Sequence, residues 1–195
     1  MVLELPYENQ KFYEIEMCGL KRKLPLRKVS EDTYIASNHA LVLGCDIEFT
    51  RKVGKKLAEK IRESGTDPQA LLSAEAKSLP LVYEVGKNLD HIEIAIARKS
   101  KKTYMEEPIG ITVKSITTDK EQKLVLDKIT QDKIKGKKVC LIDDVVSSGK
   151  TMDSLEKLTH LFKGKVVCRA AIWLEGKEYS KELIHLGELP LFKKK

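Results

Sequence analysis

The sequence predicts an α/β fold built on a mainly parallel sheet. Two observations carry that expectation. Strand and helix patterns alternate from residue 47 to residue 174, and one strand runs into two adjacent aspartates and a loop of small residues before the next helix. Alternation of this kind places helices on the faces of a parallel sheet.

Residues 1–45 differ from the rest. They hold strand-like pieces, "FYEIEMCGL" and "TYIAS", around the basic stretch "KRKLPLRK", and read as a small hood or flap on a core of residues 46–195. In residues 47–64, Val53, Leu57 and Ile61 recur at a spacing of four and Gly65 follows as a stop, which marks an amphipathic helix. A short apolar run at 70–73 precedes the turn-like "AEAKS". A second helix is expected from Pro80, a favoured first-turn residue, to about Leu89. Ile92, Ile94 and Ile96 alternate with smaller or polar residues, as in a strand. Residues 100–108, "SKKTYMEEP", are polar and without period. Strands are expected on their far side at 111–116 and 123–126, so the middle of the chain is a strand, a long loop and a returning strand. Residues 139–142 form a buried strand. Met152, Leu155, Leu158 and Leu161 with Phe162 trace a helix face closed by Gly164, and residues 166–174 form the last strand. No internal repeat or low-complexity linker is visible.

The totals set bounds. A chain of 195 residues with 42% apolar and 33% charged residues suits one domain with a small attachment. No apolar run approaches the roughly 20 residues of a membrane helix. The start, "MVLELPYENQKF", lacks a signal peptide's basic and apolar regions, so the expected location is the cytoplasm. Cys18, Cys45, Cys140 and Cys168 share no C-x-x-C spacing, and two of them lie in apolar runs. They read as reduced structural thiols in preference to a metal site or disulfide framework. The net charge of +7 suits an anionic partner, a phosphorylated metabolite or a nucleic acid, and equally a solvated lysine surface such as Lys193, Lys194 and Lys195.

The chemistry concentrates in "VCLIDDVVSSGKTM". In an open α/β sheet, ligands bind beyond the carboxyl ends of the strands. Asp143 and Asp144 are expected there, and Ser147, Ser148 and Gly149 lead into a helix near Thr151. A helix amino terminus offers free N–H groups and a partial positive charge to phosphate, and small residues let the backbone approach it. Carboxylates would repel that phosphate but suit sugar hydroxyls or a cation, so the segment can hold a sugar monophosphate by both ends. The plainer reading is that the aspartates end a strand and Ser148 caps a helix. A Walker A loop does not fit, because position 144, where it needs glycine, is aspartate.

This segment resembles the phosphoribosyl pyrophosphate (PRPP) signature of the type I phosphoribosyltransferases. "SAEAKSLPL" is similar to the family's pyrophosphate loop. "IAIARKSKKTYMEEPIGITVKSIT" resembles the strand, flexible loop and strand of the purine branch, the adenine and xanthine enzymes and their regulatory relatives. The resemblance covers residues 50–175 and implies the type I fold: a mainly parallel sheet flanked by helices, with an N-terminal hood.

It also implies roles. Asp143 and Asp144 match the pair that holds the ribose hydroxyls. Ser147, Ser148, Gly149, Lys150 and Thr151 match the 5-phosphate loop. Glu75, Ala76, Lys77 and Ser78 match the pyrophosphate loop, which in the family often contains a non-proline cis peptide. Arg98 and Lys99 match a basic pair before the flexible loop, and Lys102 is a further pyrophosphate candidate. Three positions depart from the pattern: Lys150 and Ser78 stand where glycine is common, and Ser148 where threonine is common.

The implied reaction moves ribose 5-phosphate from PRPP to a purine base, adenine slightly favoured, giving a nucleoside monophosphate and pyrophosphate, with Mg²⁺ as cofactor and a homodimer as the assembly. Residues 100–110 would be a lid, or a plain surface hairpin. Val145 and Val146 would wall the base, or simply pack. Residues 19–27 would cover the base, or be surface charge. Trp173 would stack on a purine, or be buried in the core, which is the commoner fate. The four histidines receive no role. The rival reading is a PRPP-sensing regulator or nucleic-acid-binding protein of the same fold; residues 1–45 look too strand-like for a DNA-binding helix motif.

Overall fold

The computed structural model describes residues 4–43, 46–113 and 122–194. Cys45 and the expected strand residues 114–116 lie outside them. The core sheet has five strands in the order β11-β10-β9-β5-β6. These are Ile184–Leu189, Lys165–Glu175, Lys138–Val146, Ala70–Ala74 and Glu93–Ala97, and all neighbours run parallel. A second sheet, in the order β1-β12-β4-β3-β2, is the hood. It contains Glu4–Pro6, Phe12–Met17, Leu20–Lys28 and Thr33–Ala36 (β1 to β4), and Leu191–Lys193 (β12) inserts between β1 and β4. The basic stretch is therefore a strand, β3, paired antiparallel with β2 and β4.

Two apolar clusters sandwich the core sheet. On one side lie the hood and helices α2 (Ile47–Glu63) and α3 (Leu79–Asn88), after the short α1 (His39–Val42). Helix α2 buries Phe49, Val53, Leu57 and Ile61 along one stripe. It starts where Asp46 accepts a hydrogen bond from the Phe49 N–H at 2.9 Å, satisfying one of the free donors of the first turn. Gly54 brings α2 and α3 close, since a Cβ there would stand 2.6 Å from that of Glu84. Trp173 lies in this cluster, almost wholly buried and stacked on Phe49 with ring centroids 5.7 Å apart. Core burial is its fate.

On the other side lie α4 (Lys128–Ile134), α5 (Lys150–Leu161) and the hairpin of β7 (Ile109–Val113) and β8 (Gln122–Leu126). Helix α5 buries Met152, Leu155 and Leu158 as its spacing predicts, but Leu161 is exposed. The hairpin joins the core through reciprocal 2.8 Å backbone bonds between Arg98 and Val125.

Three expectations need correction. Strand β9 does not stop at Ile142 but runs on to Val146, so the two aspartates lie within it rather than after it. Helix α4 and strands β11 and β12 were not legible, being short or weakly patterned. Cys140 and Cys168 are joined as a disulfide. They face each other directly in the β9–β10 register with Cα atoms 4.7 Å apart, an adjacency created by strand pairing that spacing along the chain does not reveal.

Candidate active site

Side chains alternate along a strand, so the adjacent aspartates of β9 project to opposite faces. Asp144 faces the hood, where its Oδ2 accepts from Asn38 Nδ2 and from Lys77 Nζ, both at 2.8 Å. Asp143 faces the other way. Its Oδ1 accepts from Ser78 Oγ at 2.7 Å and from the Asp144 N–H at 2.9 Å. Ser78 Oγ lies between the two carboxylates, 3.4 Å from Asp144 Oδ1. Burial and the charge of Asp144 push Asp143 up. Burial also acts upward on Asp144, but the charge and hydrogen bond of Lys77, with the bond from Asn38, overcome it and hold this carboxyl below its ordinary value. One acid of the pair is thus kept ionised and the other is readily protonated.

The loop after β5 supplies the opposing wall. Its Glu75–Ala76 peptide is cis. Glu75 pairs with Arg98 Nε and accepts from the Lys99 N–H at 2.6 Å, which fastens this loop to the end of β6. Arg98 also donates to the Tyr104 hydroxyl at 3.1 Å, so the segment after β6 is tied to the same point.

After β9 the chain enters α5 through Gly149, at φ +77°, a left-handed conformation suited to glycine. No side chain caps this helix, which removes the reading of Ser148 as a cap. No side-chain cap therefore satisfies the free N–H groups of the first turn. The Tyr179 ring covers Gly149 so closely that any Cβ would collide with it.

These parts line two adjoining cavities. One, of about 210 Å³, is bounded by Glu75, Ala76, Lys77, Ser78 and Lys99 on one side and by Asp143, Asp144, Val145 and Thr151 on the other. The second, of about 150 Å³, is lined by Asp143, Val145 and the run from Val146 to Met152, including Ser147, Ser148, Gly149, Lys150 and Thr151. Asp143, Val145 and Thr151 belong to both. Not every expected residue converges. Arg98 lines a separate cavity with Glu75 and Tyr104. Lys102 borders neither of the two site cavities, and its N–H meets Met105 Sδ at 3.4 Å. Val146 is almost wholly buried in the second apolar cluster, while Val145 is half-buried at the cavity wall.

Residues 19–27 bring no side chain to these cavities. Sequence reasoning missed Asn38, whose approach across 106 positions has no local signature, and Glu175, a carboxyl at the end of β10. Burial pushes Glu175 up to about 7, the charge of Lys77 acting against it and that of Asp144 with it. An acid ending the strand after an acidic pair was its available signal.

Polar residues gathered at the carboxyl ends of β5 and β9, two neighbouring parallel strands, place the chain among the α/β proteins that take ligands at that edge. More narrowly, it belongs to the phosphoribosyl transferase domain family, whose model matches residues 47–186, and its sheet and hood have the type I architecture. Adenine phosphoribosyltransferase from Thermoanaerobacter pseudethanolicus superposes with a TM-score of 0.65 at 17% identity, over 91% of this chain and 95% of that one. The adenine phosphoribosyltransferase from Leishmania donovani gives 0.64 at 17% identity, over 91% and 76%. A hypothetical protein from Neisseria gonorrhoeae with bound ppGpp gives 0.52 at 17% identity, over 76% and 84%. At such identities the likeness is one of fold. No curated protein matches the chain significantly.

Proposed function

We propose that this protein transfers ribose 5-phosphate from PRPP to a purine base, adenine first, releasing pyrophosphate and a nucleoside monophosphate. The observation that carries the reading is the pair of adjoining cavities that share Asp143, Val145 and Thr151. One is floored by a loop and helix start suited to a phosphate, the other by Lys77, Lys99 and the cis-peptide loop suited to a pyrophosphate. The carboxylates between them suit the ribose diol.

The chain's residues then have defined work. N–H groups and hydroxyls from Ser147 to Thr151 hold the 5-phosphate. The aspartates orient the ribose. As the bond to pyrophosphate breaks, negative charge gathers on the leaving group, and Lys77, Lys99 and backbone N–H groups stabilise it where it develops. Arg98 acts through Glu75, holding the pyrophosphate loop in place. Residues 100–110 serve as the lid that excludes water.

Mg²⁺ belongs to this reading. Among the described residues no cluster of three or more His, Cys, Asp or Glu forms a metal cage. The carboxylates of Asp143 and Asp144 fit a magnesium that would keep its waters and take most of its ligands from the substrate's oxygens. The acidic pair would contribute negative charge beside it, and the ion would neutralise the leaving group. A homodimer and a cytoplasmic location complete the proposal. Among the described residues no helix is long and apolar enough to cross a membrane.

A second reading, nucleotide binding as a signal without turnover, draws support from the Neisseria neighbour with bound ppGpp. Nucleic acid is the weaker partner, because the described part of residues 1–45 is four strands and a four-residue helix. Radiolabelled adenine, hypoxanthine, guanine, xanthine, orotate and uracil offered with PRPP and Mg²⁺ test both readings. Labelled nucleotide from a purine is expected. Orotate or uracil as best acceptor would overturn the purine assignment, and no transfer to any base would leave the signalling reading.

A further inference from the structure

Glu175 is the buried carboxyl that the reaction just described does not use. It is 8% exposed, at the carboxyl end of β10, and among the described residues its carboxyl has no hydrogen-bond or ion-pair partner. A carboxyl this covered and without a protein partner keeps its lone pairs for a ligand that reaches it. Its oxygens are not sealed in. The buried side-chain atoms that lack partners belong to Thr50, Ser73, Arg169 and Tyr179, and the Glu175 oxygens are not among them.

Its place in the sheet says what it faces. Strand β10 lies beside β9 with Trp173 opposite Val145 and Leu174 opposite Val146, so Glu175 stands level with the start of the phosphate loop. It projects to the same face as Trp173, the hood side, which Asp144 also faces. Asp144 and Lys77 are the charged groups within electrostatic reach of it. The pyrophosphate loop follows β5, on the other flank of β9. A sugar phosphate seated over β9 thus has its leaving group toward β5 and its opposite face toward β10. A nitrogen that displaces pyrophosphate at the anomeric carbon approaches from that opposite face.

We infer that Glu175 reads the acceptor base, its carboxyl taking a hydrogen bond from the exocyclic amine of a 6-aminopurine and turning away the carbonyl of a 6-oxopurine. The inference rests on the phosphoribosyl-transfer reading. It adds the group that chooses between adenine and the 6-oxopurines. An ionised carboxyl offers lone pairs only, so an amine edge satisfies it and a carbonyl edge leaves two acceptors opposed.

Calorimetric binding of AMP, IMP and PRPP, each with Mg²⁺, to the wild-type protein, Glu175→Gln and Glu175→Leu tests this. The wild type is expected to prefer AMP to IMP by on the order of 10–100-fold. The Gln amide carries a donor as well as an acceptor, so Glu175→Gln should narrow that ratio to within about threefold, mainly by gaining IMP affinity. Glu175→Leu should lose about tenfold in AMP affinity and little for IMP. PRPP affinity should stay the same in all three, and melting curves establish that the variants fold. Equal affinity of the wild type for AMP and IMP, or a ratio unmoved by either substitution, overturns the role of Glu175 while leaving phosphoribosyl transfer intact. A wild type that binds neither PRPP nor nucleotide overturns both.

Discussion

Lys77→Met isolates the contact on which the acidic pair depends. Lys77 Nζ lies 2.8 Å from Asp144 Oδ2, and the side chains are 46% and 3% exposed, so a half-solvated cation neutralises a buried carboxylate. At an effective dielectric of about 20 the bare attraction at this distance is about 6 kcal/mol. Most of it offsets the cost of removing the carboxylate from water. Deleting one partner of a fully buried pair costs about 3–5 kcal/mol. Solvent around Lys77 screens the attraction, and the bonds from Asn38 and Ser78 remain. The expected loss near pH 7.5 is therefore about 2 kcal/mol, or about 4–8 °C in Tm for a chain of this length.

The pH dependence has a definite sign. Asp144 is held below its ordinary value, so the stability it contributes is present above that value and disappears as pH falls through its folded pKa. In Lys77→Met the carboxyl can instead take up a proton, so the loss should shrink toward pH 4.5. The assay is thermal unfolding of wild type, Lys77→Met, Asp144→Asn and the double variant at both pH values in low salt. The double variant should cost at least about 1 kcal/mol less than the sum of the singles. A Lys77→Met midpoint within 1 °C (about the precision of such a melt) of wild type at pH 7.5, or strict additivity, would refute the reasoning.

Three further outcomes are expected. Asp143→Asn with Asp144→Asn should leave the fold intact and weaken PRPP binding by at least about tenfold in calorimetry, because two partners of the ribose are altered at once; unchanged affinity would remove the pair from the site. Gly149→Val should lower nucleoside monophosphate affinity by on the order of tenfold and Tm by several degrees, since a branched side chain there meets both the left-handed backbone and the Tyr179 ring; a full-affinity variant would show that the loop does not grip phosphate. With Glu175 pushed up to about 7 by burial and Asp144, the AMP-over-IMP preference should be largest above pH 7 and fall toward pH 5.5, where the carboxyl gains a proton that can serve a carbonyl; a ratio flat across that range in wild type would contradict it.

What the sequence made legible was what repeats locally. Val53, Leu57 and Ile61 announce the buried stripe of α2, and the run from Asp143 to Thr151 places carboxylates and a phosphate-seeking helix end within nine residues. The unread parts depend on who lies next to whom. Helix α4 has seven residues and buries only Gln131 and Ile134, too little for a period to emerge. Cys140 and Cys168 meet because β9 and β10 pair, and Asn38 reaches Asp144 because the hood folds over the sheet. Strand β9 was read too short for a related reason. Its apolar run ends at Ile142, yet backbone pairing with β10 carries the strand through the charged residues.

The hood has a consequence for how the chain is made. Its strands β2 to β4 leave the ribosome early, but β12, the neighbour that covers β4, comes much later: Lys193 Nζ donates to Thr33 Oγ1 at 2.7 Å across 160 positions. At about 5–20 residues per second, the edge of β4 waits roughly 10–30 s for that partner. Strands β5, β6, β9 and β10 of the parallel sheet are made in the meantime, while its edge strand β11 comes only just before β12. The first-made layer of the protein is thus the last to close. Throughout that interval the main-chain groups of Tyr34 and Ile35 form an open strand edge that any other nascent chain can pair with.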